Sequence, residues 1–267
     1  MDIVLRFLGS LGRSAFKLLT QLSRISTLTG QTFYWIIAAP LKGQKLGWRS
    51  TIEQMVRIGY ESIPIVALIS FFVGLIIAMQ SAYQLAQFGA TIYVANLVAV
   101  SIVRELSPLL TAIIVTGRNG SAITAEIGTM KVSEEIDALK TMGFNPIKFL
   151  VVPRTIAMMI MLPSLTILGD FIGIVGGYTI AMGTLDITSI RYINQTISAL
   201  LFKDLFSGLV KSVFFALIIA TIGNYEGFNV EGGAEGVGKS TTKSVVTSIF
   251  LIIAADVFFT GLFYSTF

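Results

Sequence analysis

Five apolar runs, each long enough to cross a bilayer, fill most of the sequence from residue 63 onward. A spanning helix needs about 20 mostly apolar residues, and the stretches 63–84, 92–117, 149–182, 207–224 and 245–267 meet that need. The third is too long for one straight span, at roughly 50 Å if wholly helical. Either Pro153 and Pro163 kink it or its first turns lie in the interface, so the count is five spans, or six if it divides. Charged residues make up only 13% of the chain, against about 25% in soluble domains. The chain has no Cys and no His, which excludes disulfides and thiolate metal sites and removes the commonest general base. The expected fold is an all-α polytopic membrane protein that is not an enzyme and has no metal or cofactor of its own.

Orientation follows from where Lys and Arg fall in the short loops. Arg118, Lys131, Lys140, Lys148 and Arg154 lie between the second and third runs, and Lys239 and Lys243 between the fourth and fifth. The connection around 86–91 has no basic residue. These loops and the basic N-terminal region are therefore expected in the cytoplasm, with the C-terminus on the outer side. Arg191 and Lys203 fall outside by this count.

Residues 1–62 form a separate interfacial region ahead of the membrane domain, 63–267. Within it Ile3, Val4, Phe7, Leu8, Leu11, Leu18, Leu19, Leu22 and Ile25 recur at helical spacing, interrupted by Arg6, Arg13, Lys17 and Arg24. The charges break any apolar core before it reaches signal-peptide length. An amphipathic helix on an anionic membrane surface fits better.

Residues 232–241, GGAEGVGKST, match a phosphate-binding loop at Gly233, Gly238, Lys239 and Ser240. Such a loop works between a buried strand and a helix, where backbone N–H groups close on phosphate. Here a membrane span precedes the glycines, and no strand ending in a magnesium-binding Asp follows. The match, Gly233 to Ser240, is read as accidental. It is expected to be a glycine-rich turn with Ser240, Thr241 or Thr242 capping the last span.

The charges inside the spans are more informative. Arg104 and Glu105 sit in the second run, Asp170 in the third, Lys211 in the fourth and Asp256 in the fifth. A charge at the bilayer centre costs at least about 2.5–3.5 kcal/mol on insertion scales. Two cations and three acids offset this only by pairing or by facing a wet cavity. They form either a structural ion-pair network, the polar floor of a substrate cavity, or an ion pathway.

The loop 121–142 reads as a helix with an apolar stripe through Ile123, Ile127, Met130, Ile136, Leu139 and Met142. Glu134, Glu135 and Asp137 precede Lys140, and Gly143 and Pro146 end it. A helix without a core of its own needs a bilayer surface or a partner. The excess of acids, repelled by anionic headgroups, favours a partner.

The segment RELSPLLTAIIVTGRNGSAITAEIGTMKVSEEIDALKTMGFNPIKFLVVPR strongly resembles the signature of the Mla-type (YrbE-like) permeases, and the resemblance extends over nearly the whole chain, through GIVGGYTIAMG and GAEGVGKSTTKSVV. It implies the membrane subunit of an ABC transporter that moves phospholipids between inner and outer bacterial membranes. It further implies a permease homodimer, a cytoplasmic ATPase dimer carrying ATP and Mg, a periplasmic ring of MCE-domain proteins, and no nucleic acid. The 121–142 segment becomes the coupling helix, with Glu126, Ile127, Met130, Glu134, Glu135, Ile136 and Leu139 toward the ATPase. Arg104, Glu105, Lys211 and Asp256 match charged positions of the family, and Lys211 is expected to meet a lipid phosphate. The lipid cavity would be lined by Ile77, Ser81, Leu85 and Phe88. An ion-coupled carrier using Glu105, Asp170 or Asp256, or a scaffold for a lipid-binding ring, are the rival readings.

Overall fold

The structure, a computed structural model, describes residues 2–41, 47–185 and 187–266, and the side chains of 2–15, 17, 18, 39, 265 and 266 are outside that description. All regular structure among the described residues is helical. Helix α1 (Asp2–Phe33) is followed by α2 (Trp48–Ile58) and α3 (Ile63–Ala86). Next come α4 (Thr91–Val132), the short α5 (Glu135–Thr141) and α6 (Ile147–Thr184). Helices α7 (Ser189–Ala199), α8 (Phe202–Phe228) and α9 (Gly233–Thr266) complete the chain.

Five helices are long and apolar enough to span, namely α3, extended by α2, with α4, α6, α8 and α9. The third run is one helix. Pro163 lies inside it without ending it, and Pro153 falls at its start, just after a π turn, Ile147–Val151. The six-span alternative therefore drops out.

Of the interfacial stripe expected at the N-terminus, Leu19 and Leu22 are exposed and Ile25 is half-buried. The side chains from Ile3 to Leu11, with Arg6, Arg13, Lys17 and Leu18, lie outside the described residues.

Small residues set the packing. Helices α3 and α6 run in closest contact. A Cβ on Gly74 would stand 1.9 Å from the carbonyl oxygen of Gly173, so only glycine lets these two backbones approach so closely. Helices α4 and α8 form the centre, and half of each apolar window is buried, against 11% for α9, which packs along one edge. Phe215, Ile219, Ile127, Met158 and Leu162 are wholly enclosed in the core this creates.

Helix α4 is 42 residues long, roughly 60 Å, about twice the hydrocarbon thickness. It passes through two π turns, Ile102–Leu106 and Thr116–Gly120. The 121–142 segment is therefore not a separate helix. Ser121–Val132 continues α4, and the helix breaks at Ser133 and Glu134 before α5 begins. Ile123, Ile127 and Ile136 are buried against the chain's own core and Met130 and Leu139 are partly covered by it, so of the apolar stripe that called for a partner only the Met142 end is left exposed.

Residues 232–241 are also corrected. Gly232 and Gly233 take left-handed φ angles of 87° and 69° to make the turn, and α9 begins at Gly233. Ser240, Thr241 and Thr242 thus lie inside a helix rather than capping one. Thr241 donates 2.7 Å back to the Val237 carbonyl.

Candidate functional site

Lys211 is the most enclosed cation of the membrane region, with its side chain 1% exposed. It lies two and a half turns into α8, facing α4 and α9. Its three ammonium protons have three acceptors: the Glu105 Oε2 at 2.5 Å, the Thr260 hydroxyl at 2.8 Å and the Arg104 carbonyl at 3.3 Å. Asp256 Oδ1 stands 3.0 Å away as an ion pair, although that oxygen has no hydrogen-bond partner. Thr260 donates in turn to the Glu105 carboxylate, 3.1 Å from Oε1.

Arg104 points to a different acid. Its Nε is 3.1 Å from Asp204 Oδ1, and Asp204 Oδ2 accepts the Leu201 N–H at 2.9 Å, tying down the first turn of α8. An acid there also complements the helix dipole. The cluster thus joins α4, α8 and α9 with two cations against three carboxylates. The π turn of α4 falls on Arg104 and Glu105, and π segments recur at functional sites because they offset the hydrogen-bond ladder locally. A cleft of about 60 Å³ opens beside the cluster, lined by Arg104, Glu105, Lys211, Thr260 and Tyr264 among others.

Asp170 does not join this cluster. It is buried on α6, and among the described residues it has no ion-pair partner, while its Oδ1 has no hydrogen bond. Its neighbour Gly169 has the Ser107, Ser70 and Thr111 hydroxyls around it, so Asp170 belongs to a neutral polar pocket between α3, α4 and α6. Of the expected cavity lining, Ile77 and Leu85 are half-buried against Val94, Val98 and Ile102 within the same chain. Ser81 is half-buried and Phe88 exposed. The face of α3 turned outward instead carries Phe72, Ile76, Met79 and Tyr83.

At the other end of the bundle, ion pairs hold the extension of α4 in place. Glu126 accepts from Arg57 of α2 at 2.5 Å and from Arg154 of α6 at 2.8 Å. Arg118 reaches Glu61 at 2.8 Å and the Ser62 hydroxyl at 2.7 Å. Asn119 donates to the Ile58 carbonyl at 3.1 Å. Glu226, nearly buried, pairs with Lys243 at 2.9 Å. Of the residues expected to face a partner, Glu126 and Ile127 are therefore committed to the chain itself, as is Ile136, while Met130 and Leu139 are partly covered. Glu134 and Glu135 are exposed at the elbow, with Val132 and Met142 beside them. Glu134 sits at φ 60°, a left-handed conformation that costs a non-glycine residue on the order of 1 kcal/mol and clusters at functional positions.

Below the elbow, Asp137 takes a hydrogen bond from Lys140 at 2.8 Å, with Lys131 at 3.4 Å. The Lys140 hydrogen bond and the charge of Lys131 hold its carboxyl below the usual range. Lys239 of the phosphate-loop match pairs with Glu235 one turn earlier, on exposed helix surface. Among the described residues, no group of three His, Cys, Asp or Glu side chains is placed to hold a metal ion.

Two contributors escaped sequence reasoning, Asp204 and Thr260. Asp204 was legible in principle, lying two turns before Lys211 on the same helix face, but it falls outside the apolar window that drew attention to charges. Thr260 carried no signal.

Residues 51–262 match the family described as Permease MlaE. The chain is 38% identical to a probable ABC transporter permease protein of Rickettsia bellii over 262 residues, 98% of this chain and 99% of that one. It is 41% identical over 237 residues to a protein of the same description from Synechocystis sp., covering 89% and 88% of the two chains. The protein TRIGALACTOSYLDIACYLGLYCEROL 1, chloroplastic, of Arabidopsis thaliana is 36% identical over 229 residues, 86% of this chain and 65% of that protein.

Proposed function

The chain belongs to the MlaE permease family, and from that premise we propose that it is the membrane subunit of an ATP-driven transporter. Its cargo is phospholipid moved between the inner and outer membranes of a bacterium, and ATP and Mg are held by a partner ATPase. The elbow end of the bundle faces the cytoplasm and the C-terminus the periplasm. A second copy of the chain completes the lipid cavity, and a ring of MCE-domain proteins receives lipid on the periplasmic face. The names of the relatives support the ATPase partner, and one of them carries a galactolipid in its name.

The observation that carries this reading is the single helix α4, which runs without a break from the Lys211 cluster to the exposed elbow. From Arg104 to Glu134 it spans roughly 45 Å. A partner that closes on ATP and pushes at α5 moves α4 as a lever, and the far end of the lever carries Glu105. In this conformation Glu105, Thr260 and the Arg104 carbonyl use all three protons of Lys211, and the adjoining cleft is too small for a headgroup. Shifting Glu105 away frees the ammonium for a lipid phosphate. Shifting it back expels the phosphate by substituting an internal carboxylate. Lipid thereby binds one conformation better than the other, which is what nucleotide energy requires in order to do transport work. Acyl chains gain little by leaving a bilayer for an apolar cavity, so the difference resides in the headgroup contacts.

The test is reconstitution of the complex purified from native membranes into liposomes, following a fluorescent phospholipid passing to acceptor vesicles. Transfer that needs ATP and is lost on Glu105→Gln supports the proposal. Transfer unaffected by removing ATP, but dependent on an ion gradient and on Asp170, sinks it in favour of an ion-coupled carrier.

A further inference from the structure

Between α1, α5, the turn at 143–147 and the last turn of α8 lies a cavity of about 700 Å³, at the opposite end of the bundle from the Lys211 cluster. Arg24, Lys131 and Lys140 line it together with Leu28, Phe144 and Phe228. No acid lines it, although Asp137 stands behind the two lysines at 3.4 and 2.8 Å. Three cations against one carboxylate leave it electropositive. Arg24 lines the cavity without an ion-pair partner among the described residues.

The position of this cavity is as informative as its charge. It sits where α8 ends, where α6 begins and where α4 leaves the bundle. Spans of ordinary length such as α8 end where hydrocarbon gives way to headgroups, and Arg24 and Leu28 of α1 reach the same cavity. A positive cavity with apolar walls at that depth meets phosphate on one side and acyl carbons on the other. An inorganic anion would leave Leu28, Phe144 and Phe228 without a counterpart.

We infer that this cavity binds the headgroup of an anionic phospholipid, with Arg24, Lys131 and Lys140 on the phosphate and Leu28, Phe144 and Phe228 against the first acyl carbons. Arg24 supplies a planar fork suited to two phosphate oxygens, and the lysines supply point charges. Lys131 belongs to the last turns of α4 and Lys140 to α5, so one phosphate bridges the elbow. The lipid thereby ties α1, α4 and α5 together, and an anionic membrane stiffens the segment that the proposed partner would push. The site is distinct from the cargo cavity, and its occupancy is measurable without nucleotide, partner or transport.

The experiment uses the full-length chain in neutral detergent, titrated with dioctanoyl phosphatidylglycerol and followed by native mass spectrometry and thermal unfolding. Dioctanoyl phosphatidylcholine and inorganic phosphate serve as the other two ligands. Retention of the glycerol lipid with a raised unfolding temperature, and no such effect from the other two, is the expected result. The variant R24Q/K131Q/K140Q should bind at least tenfold more weakly. The charge-preserving R24K/K131R/K140R should retain binding, and Lys239→Gln, an exposed lysine elsewhere, should leave it unchanged. Equal binding of both lipids, undiminished binding by the triple glutamine variant, or displacement of lipid by inorganic phosphate would each overturn the inference.

Discussion

Around Lys211, two cations and three carboxylates meet between α4, α8 and α9, with Lys211, Asp204 and Asp256 enclosed and Arg104 and Glu105 35% and 38% exposed. At the elbow end, Arg57, Arg118, Arg154 and Lys243 pair with Glu61, Glu126 and Glu226. The residue types are the same and the surroundings are not. The Lys211 side chain is 1% exposed and Asp204 5%, whereas Arg57 and Lys243 are 60% and 56% exposed, each paired with or beside a better covered partner such as Arg154 or Glu226. Enclosed charges have given up their hydration and depend on one another, so losing one partner leaves an orphan. Exposed charges keep most of their water, and each pair adds little. In the first cluster the loss of an enclosed member such as Lys211 is costly. The second is a set of fasteners that position the α4 extension, and its exposed members tolerate individual loss.

The largest effect should come from Lys211→Met, which strands Asp256 in the bundle and leaves the part-exposed Glu105 without its cation. A loss of about 3–5 kcal/mol is expected, visible as a lowered unfolding midpoint in detergent. Adding Glu105→Gln should restore part of it. If the single change is harmless, water already reaches the cluster and the contrast between the two regions disappears.

Glycine packing offers a second comparison. A Cβ on Gly208, beside the Lys211 cluster, would lie 2.3 Å from the Val103 carbonyl oxygen, a backbone atom. A Cβ on Gly128 in the extension would lie 2.7 Å from a Val230 side-chain methyl. Backbone yields less readily than a methyl, and alanine's helix preference returns up to about 1 kcal/mol at either site. Gly208→Ala should therefore cost about 2 kcal/mol and Gly128→Ala under about 1 kcal/mol. Equal unfolding midpoints for the two would contradict this difference in packing.

At the elbow end, Glu126→Gln should cost about 1–2 kcal/mol, because it leaves the nearly buried Arg154 without its acid. Arg57→Gln removes the exposed arm of the same pair and should cost less than about 0.5 kcal/mol. A reversed order, read from chemical unfolding, would mean that α2 rather than α6 anchors the extension.

Acid titration should reveal a smaller difference. Folding lowers the Asp137 carboxyl below its ordinary 3.8, so the unfolded chain takes up that proton first as pH falls. The stabilisation is complete above 3.8 and disappears as pH drops through the lowered value. Asp137→Asn should flatten that acid limb and lower stability at neutral pH by the same small amount, since the contribution it removes is the one present above 3.8, as measured by thermal unfolding between pH 6 and pH 3. The smallest effect belongs to Lys239→Ala. It removes one exposed i, i+4 pair with Glu235 and should change neither stability nor nucleotide binding by the isolated chain.

Much of this architecture is legible in the order of residues. Five spans follow from local hydropathy, because a segment about 20 residues long must be apolar wherever its neighbours lie. The expectation that Arg104, Glu105, Lys211 and Asp256 pair follows from the cost of isolated charges in a membrane. The structure brings the Glu105, Lys211 and Asp256 side chains together, while Arg104 meets Lys211 through its carbonyl and turns its side chain to Asp204. Asp170 obeyed the same rule in appearance but has no ion-pair partner among the described residues, because α6 carries it away from the Lys211 cluster. The stripe Ile77, Ser81, Leu85 was a real helical face, yet periodicity does not say whether a face meets lipid or a neighbouring helix. The apolar stripe of 121–142 failed for a related reason: it was assumed to have no core, and α8 and α9 supplied one.

Sequence by itself determined the helical class, the number of spans and which residues were too costly to leave alone, since each depends on short windows or single side-chain energies. Tertiary structure alone decided that Asp204 and Thr260 complete the cluster, that Glu126 fastens the extension inward, and that GGAEGVGKST is the beginning of a helix. Those outcomes depend on which helix faces lie opposite each other, and pairwise geometry between segments a hundred residues apart leaves no trace in the composition of either one.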